Sequence, residues 1–372
     1  MLNKTIKSLS NIPGWRTKRK IVVIESDDWG SLRTPSGHGL KQMQDLGLPL
    51  GNKEGIRFNK YDDLASSDDL ASLFEVLESV KDSKGHSAVL TPLCLVANPD
   101  FQKIEENHFE KYYYHTFLES LEAQNKSKAW KLWKEGYQNK LFIPEFHGRE
   151  HLNVHSWMND LNLVNATSKK GFKDKIWGQS IISGIKTNQS HRSTYNISSY
   201  SELADLKKNI QEGIELINKT FNQQTSYFLP PDGPYHLKLN QALVDNGIKY
   251  IGLGKLHNNP LESKWHQKKM FWLGRQTKEG LKVITRNVIF EPASPKSSDW
   301  VGTALINIEK AFKYKHPAVI STHRANYTGT LNPNNRKNSL KQLESLLKQI
   351  SEKWPNVEFM TSSQLGDTFE KS

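Results

Sequence analysis

The stretch Lys20-Ile21-Val22-Val23-Ile24-Glu25-Ser26-Asp27-Asp28-Trp29-Gly30 constrains this chain more than any other, because a buried-looking apolar strand runs straight into two adjacent carboxylates. Asp and Gly are ordinary turn residues, so a solvated turn accounts for the pair taken alone. If the pair is buried instead, the two like charges repel and raise one pKa, unless a cation sits between them. A metal ion beside one Asp, leaving the other free as a base, resolves that tension.

Three further apolar runs end in the same way. Leu141 to Phe146 leads into His147-Gly148-Arg149-Glu150-His151, Thr225 to Leu229 leads into Pro230-Pro231-Asp232-Gly233-Pro234-Tyr235, and Pro317 to Thr322 leads into His323-Arg324. Two His four residues apart share one face of a helix and can reach one divalent ion. His155 continues the same interval, so any adjacent two of His147, His151 and His155 satisfy the spacing, with His155 more simply read as a surface or partly buried residue near Trp157. In a β/α barrel the strand ends converge on one face, where such folds build their active sites.

Strands near 20–26, 86–96, 140–146, 225–229, 248–253, 282–289, 317–322 and 356–361 alternate with helical segments, which argues for parallel β/α units. Helices are expected from Ser201 to Phe221, from Leu237 to Asn246 with Gly247 as terminator, and from Ser339 to Trp354 before Pro355. At 372 residues with 36% hydrophobic content, the chain can bury one sizeable core, and it is read as a single α/β domain spanning 1–372. Residues 98–138, rich in aromatics, are expected to form a helical insertion, and 255–278, with His257, Trp265, His266 and Trp272, a long loop at the barrel mouth. Ser297-Ser298-Asp299-Trp300 either lines an acyl pocket or caps the next helix.

In these motifs and their order the chain resembles the polysaccharide deacetylase family, of the NodB-homology or carbohydrate esterase family 4 type, which folds as a distorted (β/α)7–8 barrel. The resemblance implies that Asp27 is the general base and Asp28 a metal ligand, with His147 and His151 completing the metal set and His323 the general acid. Pro231 and Tyr235 resemble the family's groove motif, and Trp29, Arg286 and Arg324 complete the implied substrate-binding set. Trp29 stands where the family has Gly, Gly148 where it has a hydroxyl residue, and Phe228 or Leu229 where an Arg orients the catalytic Asp. Arg286 and Arg324 are the candidates for replacing that Arg. The implied activity is metal-dependent removal of N- or O-linked acetyl groups from a carbohydrate, with zinc as the expected ion and Fe²⁺, Co²⁺ or Ni²⁺ suiting the same donors. Another metal-dependent hydrolysis, of an acylated small molecule, and a catalytically silent carbohydrate-binding protein are the alternatives.

The single Cys94, in an apolar run, is read as a buried strand residue and excludes an internal disulfide. Met1 to Lys20 lacks the apolar core of a signal peptide, and no run of about eighteen apolar residues occurs, so a cytoplasmic enzyme acting on a nucleotide- or lipid-linked sugar is expected. The net charge of +12 implies an anionic partner, but no nucleic-acid-binding signature accompanies it. Leu2, Ile6, Leu9 and Ile12 upstream of Thr17-Lys18-Arg19-Lys20 are read as a docked terminal helix, with peripheral membrane contact as the alternative.

Overall fold

The computed structural model describes residues 13–34, 39–48, 50, 53–163, 167–177, 191–262 and 267–370. The apolar stripe Leu2, Ile6, Leu9 and Ile12, together with Trp265 and His266, lies outside the described residues. Among those residues a single parallel sheet organises the chain. Its strands are β1 (Lys20–Trp29), β2 (Leu90–Leu95), β3 (Glu145–Gly148), β4 (Tyr227–Phe228), β5 (Tyr250–Gly252), β6 (Lys282–Ile284), β7 (Val288–Ile289), β8 (Ala318–His323) and β9 (Val357–Met360). The order is β6-β5-β4-β3-β2-β1-β8-β7, with β9 pairing the start of β1. Every ladder in this sheet is parallel, so every strand end carrying a candidate residue opens on the same face.

The two outermost strands, β6 and β7, are consecutive in sequence, and the residues between them are Thr285, Arg286 and Asn287. A link that short cannot span more than about 14 Å, so the sheet must curl until its edges meet, as a distorted β/α barrel does. The expected strand over 282–289 is therefore two strands at opposite edges. They are separated because Arg286 leaves the ladder to pair with carboxylates, while the Asn287 amide bonds the Pro317 carbonyl and the Val319 N–H.

Helices cover the outside. The helix Leu203–Phe221 is capped by Ser199 through a short 3₁₀ turn, two residues before the Ser201 expected in that place. The helix Pro333–Lys353 starts earlier than the Ser339 expected, because Asn332 caps it and Pro333 occupies its first turn. The expected helix Leu237–Asn246 is a 3₁₀ turn followed by Asn240–Asp245, and Gly247, at φ +89°, ends it. Asp299 caps the helix Trp300–Lys313, and Trp300 is buried, so this segment is a cap and not a pocket wall.

Segment 98–138 is a short antiparallel ribbon, Ala97–Pro99 with Tyr114–Thr116, carrying helices Phe101–Glu106, Phe117–Ala123 and Ala129–Gln138. Its aromatics divide. Phe117 and Trp133 pack into the main core against Trp29 and Phe142, whereas Phe109 and Tyr112 join a satellite cluster with Trp157 and Phe172. The 255–278 stretch is a second ribbon, Leu256–Asn258 with Lys268–Met270. Cys94 is a buried free thiol.

At the end of β1 the chain bends away from regular geometry. Gly30, at φ +86°, has room for no side chain: a Cβ there would lie 2.1 Å from the Leu95 carbonyl oxygen. Gly47 also has positive φ, +62°, but a Cβ there meets nothing within 4 Å. Gly30→Ala is expected to cost at least about 2 kcal/mol more than Gly47→Ala in denaturant unfolding, the difference isolating the backbone collision from the shared dihedral strain. Equal midpoints for the two variants would refute the close approach of β1 and β2 at Gly30.

Candidate metal centre

Adjacent residues on a regular strand face opposite ways, which should keep Asp27 and Asp28 apart. The register of β1 against β2 shifts between Ser26 and Trp29, and Asp28 takes φ +72°. A bulge of this kind re-aims side chains, and here it brings both carboxylates to one centre. It also sends Trp29 into the core. There the ring is 1% exposed, its Nε1 donates to Ser26 Oγ at 2.9 Å, and Phe142 and Trp133 meet it edge-on. Trp29 therefore has no surface for substrate.

The His pair reaches the same centre by a route that the spacing did not foretell. His147 lies at the end of β3 and His151 in the loop beyond it, the next helix beginning only at Val154. Gly148, at φ +133°, makes the turn, and the Tyr195 hydroxyl lies 3.2 Å from where its Cβ would stand. The Nε2 atoms of His151 and His147 lie 3.2 and 3.8 Å from Asp28 Oδ1. His155, by contrast, sits in the following helix, half-exposed, with Nε2 3.0 Å from the Asn159 amide. It shares no stripe with the other two.

Asp28 Oδ1, His147 and His151 fit a divalent ion. Ligand atoms about 2.0–2.1 Å from a tetrahedral Zn²⁺ lie about 3.3 Å apart, and the three ligand atoms here all fall within 4.8 Å of one another. His147 Nδ1 bonds the Leu229 carbonyl at 2.7 Å, which places its proton there and leaves Nε2 as the lone pair. The Nδ1 of His151 is buried without a hydrogen-bond partner. Burial lowers the His151 pKa despite Asp28, favouring the neutral ring that a metal needs. Arg33 donates from Nη2 to Asp28 Oδ2 at 2.7 Å, so it occupies the oxygen the His pair does not face. Burial raises the Asp28 pKa, but Arg33 and His151 hold it well below the usual carboxylate range.

Asp27 is gripped from the other side. Arg286 donates to both of its oxygens, Nη1 at 2.8 Å, and also from Nε to Glu25 at 2.6 Å and from Nη1 to Ser321 Oγ at 3.0 Å. Burial alone would raise the Asp27 pKa, yet Arg286 and then His323 bring it below the ordinary value. Of the two candidate arginines, Arg286 is the one beside Asp27. Arg324 turns away into the protein, bonding Asp62 and the Ser31 carbonyl at 3.0 and 2.6 Å, and is 1% exposed.

The register Asp27↔His323 sets the final group beside Asp27. His323 Nε2 is 3.7 Å from Asp27 Oδ2, and its Nδ1 bonds Glu291 at 2.5 Å. Burial would lower the His323 pKa, but Glu291 and Asp27 outweigh it and raise it to about 9. Pro231 and Tyr235 are buried; the Tyr235 hydroxyl bonds Asn240 at 3.0 Å inside the core, so Tyr235 offers substrate nothing.

Sequence reasoning passed over Glu25, Arg33, Arg57 and Glu291. Glu25 was findable, being two residues before Asp27 and therefore on its face. Glu291 follows the apolar stretch Val288 to Phe290, the same pattern that drew notice to His323. Arg33 and Arg57 carry no such signal.

Because His323 gains its proton affinity in the folded state, its contribution to stability is full below its unfolded pKa of about 6.5 and lost as pH rises towards 9. Glu291→Gln should lower the His323 pKa by at least one unit, read from its imidazole resonances in an NMR titration. An unchanged midpoint would show that Glu291 does not set it.

No protein-family model matches the chain, and no curated protein matches it. Among solved structures, a putative polysaccharide deacetylase from Mycobacterium smegmatis is similar at TM-score 0.45 and 8% identity, covering 96% of this chain and 93% of its own. A probable polysaccharide deacetylase from Pseudomonas aeruginosa is similar at TM-score 0.47 and 10% identity, covering 95% and 92%. A 4-alpha-glucanotransferase from Thermococcus litoralis is similar at TM-score 0.48 and 11% identity over 93% of this chain, which spans only 40% of that protein.

Proposed function

We propose that the protein is a metal-dependent hydrolase that removes an acetyl group, N- or O-linked, from a carbohydrate. One observation carries the reading: Asp28, His147 and His151 gather on one side of a buried centre, with Asp27 and His323 beside them on the same strand-end face. Hydrolysis of an acyl bond needs a base for water, stabilisation of the oxyanion and an acid for the leaving group. A divalent ion held by Asp28, His147 and His151 would acidify a water and polarise the acyl oxygen.

The chain's own residues supply the rest. Asp27, ionised and fixed by Arg286, takes the proton from the water that attacks the acyl carbon. His323, protonated at neutral pH and oriented through Nδ1 by Glu291, gives its Nε2 proton to the departing nitrogen or oxygen as the bond to the acyl carbon breaks. The products are acetate and a free amine or hydroxyl. Arg286 acts through Asp27 and is a positioning residue. The substrate we assign is an acetylated sugar or glycan. No described helix is long and apolar enough to cross a membrane.

The test is elemental analysis of chelator-stripped, zinc-reloaded protein beside an acetate-release assay over acetylated sugars. Wild type should hold close to one ion per chain. Asp27→Asn should keep the ion and lose at least about 100-fold in turnover, while His151→Ala and Asp28→Ala should lose both. Equal zinc in wild type and His151→Ala would overturn the ligand assignment, and a wild type that binds no zinc would favour the silent carbohydrate-binding reading.

A further inference from the structure

The two most exposed large apolar side chains among the described residues, Met270 at 65% and Leu256 at 63%, stand opposite each other in one ladder. They share the outer face of the ribbon Leu256–Asn258 with Lys268–Met270, and the next pair on that face is Asn258 with Lys268. Single apolar side chains scattered over a surface need no explanation, whereas two set side by side do.

The ribbon is held so that this face stays outward. On its inner face His257 is buried, with Nε2 2.8 Å from the Tyr235 carbonyl and its ring edge-on to Tyr235 and Phe271. Asn259 Oδ1 accepts the Leu237 N–H at 2.9 Å, and the Phe271 N–H donates to the Lys255 carbonyl at 2.9 Å.

Cations bracket the apolar pair. Lys268 lies two residues from Met270 on the same face, its Nζ 3.3 Å from Asn258 Oδ1. Arg275 donates from Nη1 to the Met270 carbonyl, and its guanidinium lies 4.5 Å from the Trp272 ring centre. The stretch 255–282 carries seven Lys or Arg against two Glu. Both Glu are engaged elsewhere, Glu262 3.6 Å from His236 Nε2 and Glu279 with the Asn240 amide and Lys278.

Two aliphatic side chains between cations are too little for a protein partner, because a stable interface buries about 800 Å² on each side and keeps Lys out of its centre. They suffice for a bilayer, where apolar tips enter the acyl boundary while Lys and Arg stay with anionic headgroups. We propose that this ribbon docks the protein on an anionic lipid bilayer, with Leu256 and Met270 inserted and Lys268 and Arg275 at the headgroups. The ribbon follows β5 on the strand-end face that carries Asp27 and His323, so docking turns that face towards the lipid. Docking does not depend on what the metal centre does.

Co-sedimentation with vesicles tests this without any substrate. Wild type should partition at least about tenfold more strongly onto phosphatidylcholine vesicles containing about 30% phosphatidylserine than onto phosphatidylcholine alone, and lose most of that preference when salt is raised from about 0.1 to 0.5 M. Leu256→Ser with Met270→Ser should weaken binding to the anionic vesicles at least about tenfold. Ile306→Ser, at a 55% exposed site on the helix Trp300–Lys313, should leave it unchanged. Lys268→Gln with Arg275→Gln keeps the apolar pair and should cost at least about fivefold. Failure of wild type to bind the anionic vesicles, or binding undiminished in both double variants, would overturn the proposal, and a concentration-dependent dimer abolished by Leu256→Ser with Met270→Ser would give the face to a second copy of the chain instead.

Discussion

Two neighbouring carboxylates turned into one buried space repel each other, and most of the site can be understood as what keeps Asp27 and Asp28 ionised together. At about 4 Å, and with an effective dielectric of about 20, such a pair costs on the order of 4 kcal/mol. Two separate guanidiniums offset this, Arg286 on Asp27 and Arg33 on Asp28. Neither can be shared, because each comes from a different part of the barrel and approaches from its own side. Loss of either would leave a buried charge exposed to its neighbour, a defect worth about 3–5 kcal/mol. The bulge in β1 creates this repulsion, so bulge and arginines belong to one device. The separation also lets the carboxylates differ in role, since Arg33 leaves Asp28 Oδ1 facing two imidazoles while Arg286 and His323 surround Asp27.

The parallel barrel does the remaining positioning. Asp27 and His323 are ladder partners, so their proximity follows from register and needs no loop to fold over the site. His147 is steadied by a backbone carbonyl from the end of the next strand. Arg286 and Glu291 flank β7, one on each side of a two-residue strand, and reach opposite faces of the pair Asp27 and His323. Asp27 and His323 are thereby given different environments by the residues at the two ends of a single short element, one held by a guanidinium and the other by a carboxylate.

Much of this was legible in the amino-acid sequence, and the failures have physical causes. Each of the eight expected strands overlaps an observed one, because apolar runs closed by charged or turn residues leave few other options. The run over 282–289 was misread as continuous, since periodicity cannot register an arginine pulled out of a ladder by carboxylates more than 250 residues away. The helix expected for His147 and His151 failed because Gly148 adopts a dihedral no spacing rule anticipates. Trp29 and Tyr235 were placed with substrate, but each side chain finds a buried hydrogen-bond partner, Ser26 or Asn240, which makes it a core residue. Arg33 was invisible because its importance lies in where the loop after the bulge returns.

The contact between His147 and Leu229 has a consequence for which substitutions the strand end tolerates. Its acceptor is the main-chain oxygen of residue 229, which every amino acid carries, so the imidazole is indifferent to the side chain at that position. The guanidinium that grips Asp27 comes instead from residue 286, across the barrel seam. Holding the His147 ring and supplying a cation to Asp27 thus fall to two different strand ends, so a side-chain change at one leaves the other in place.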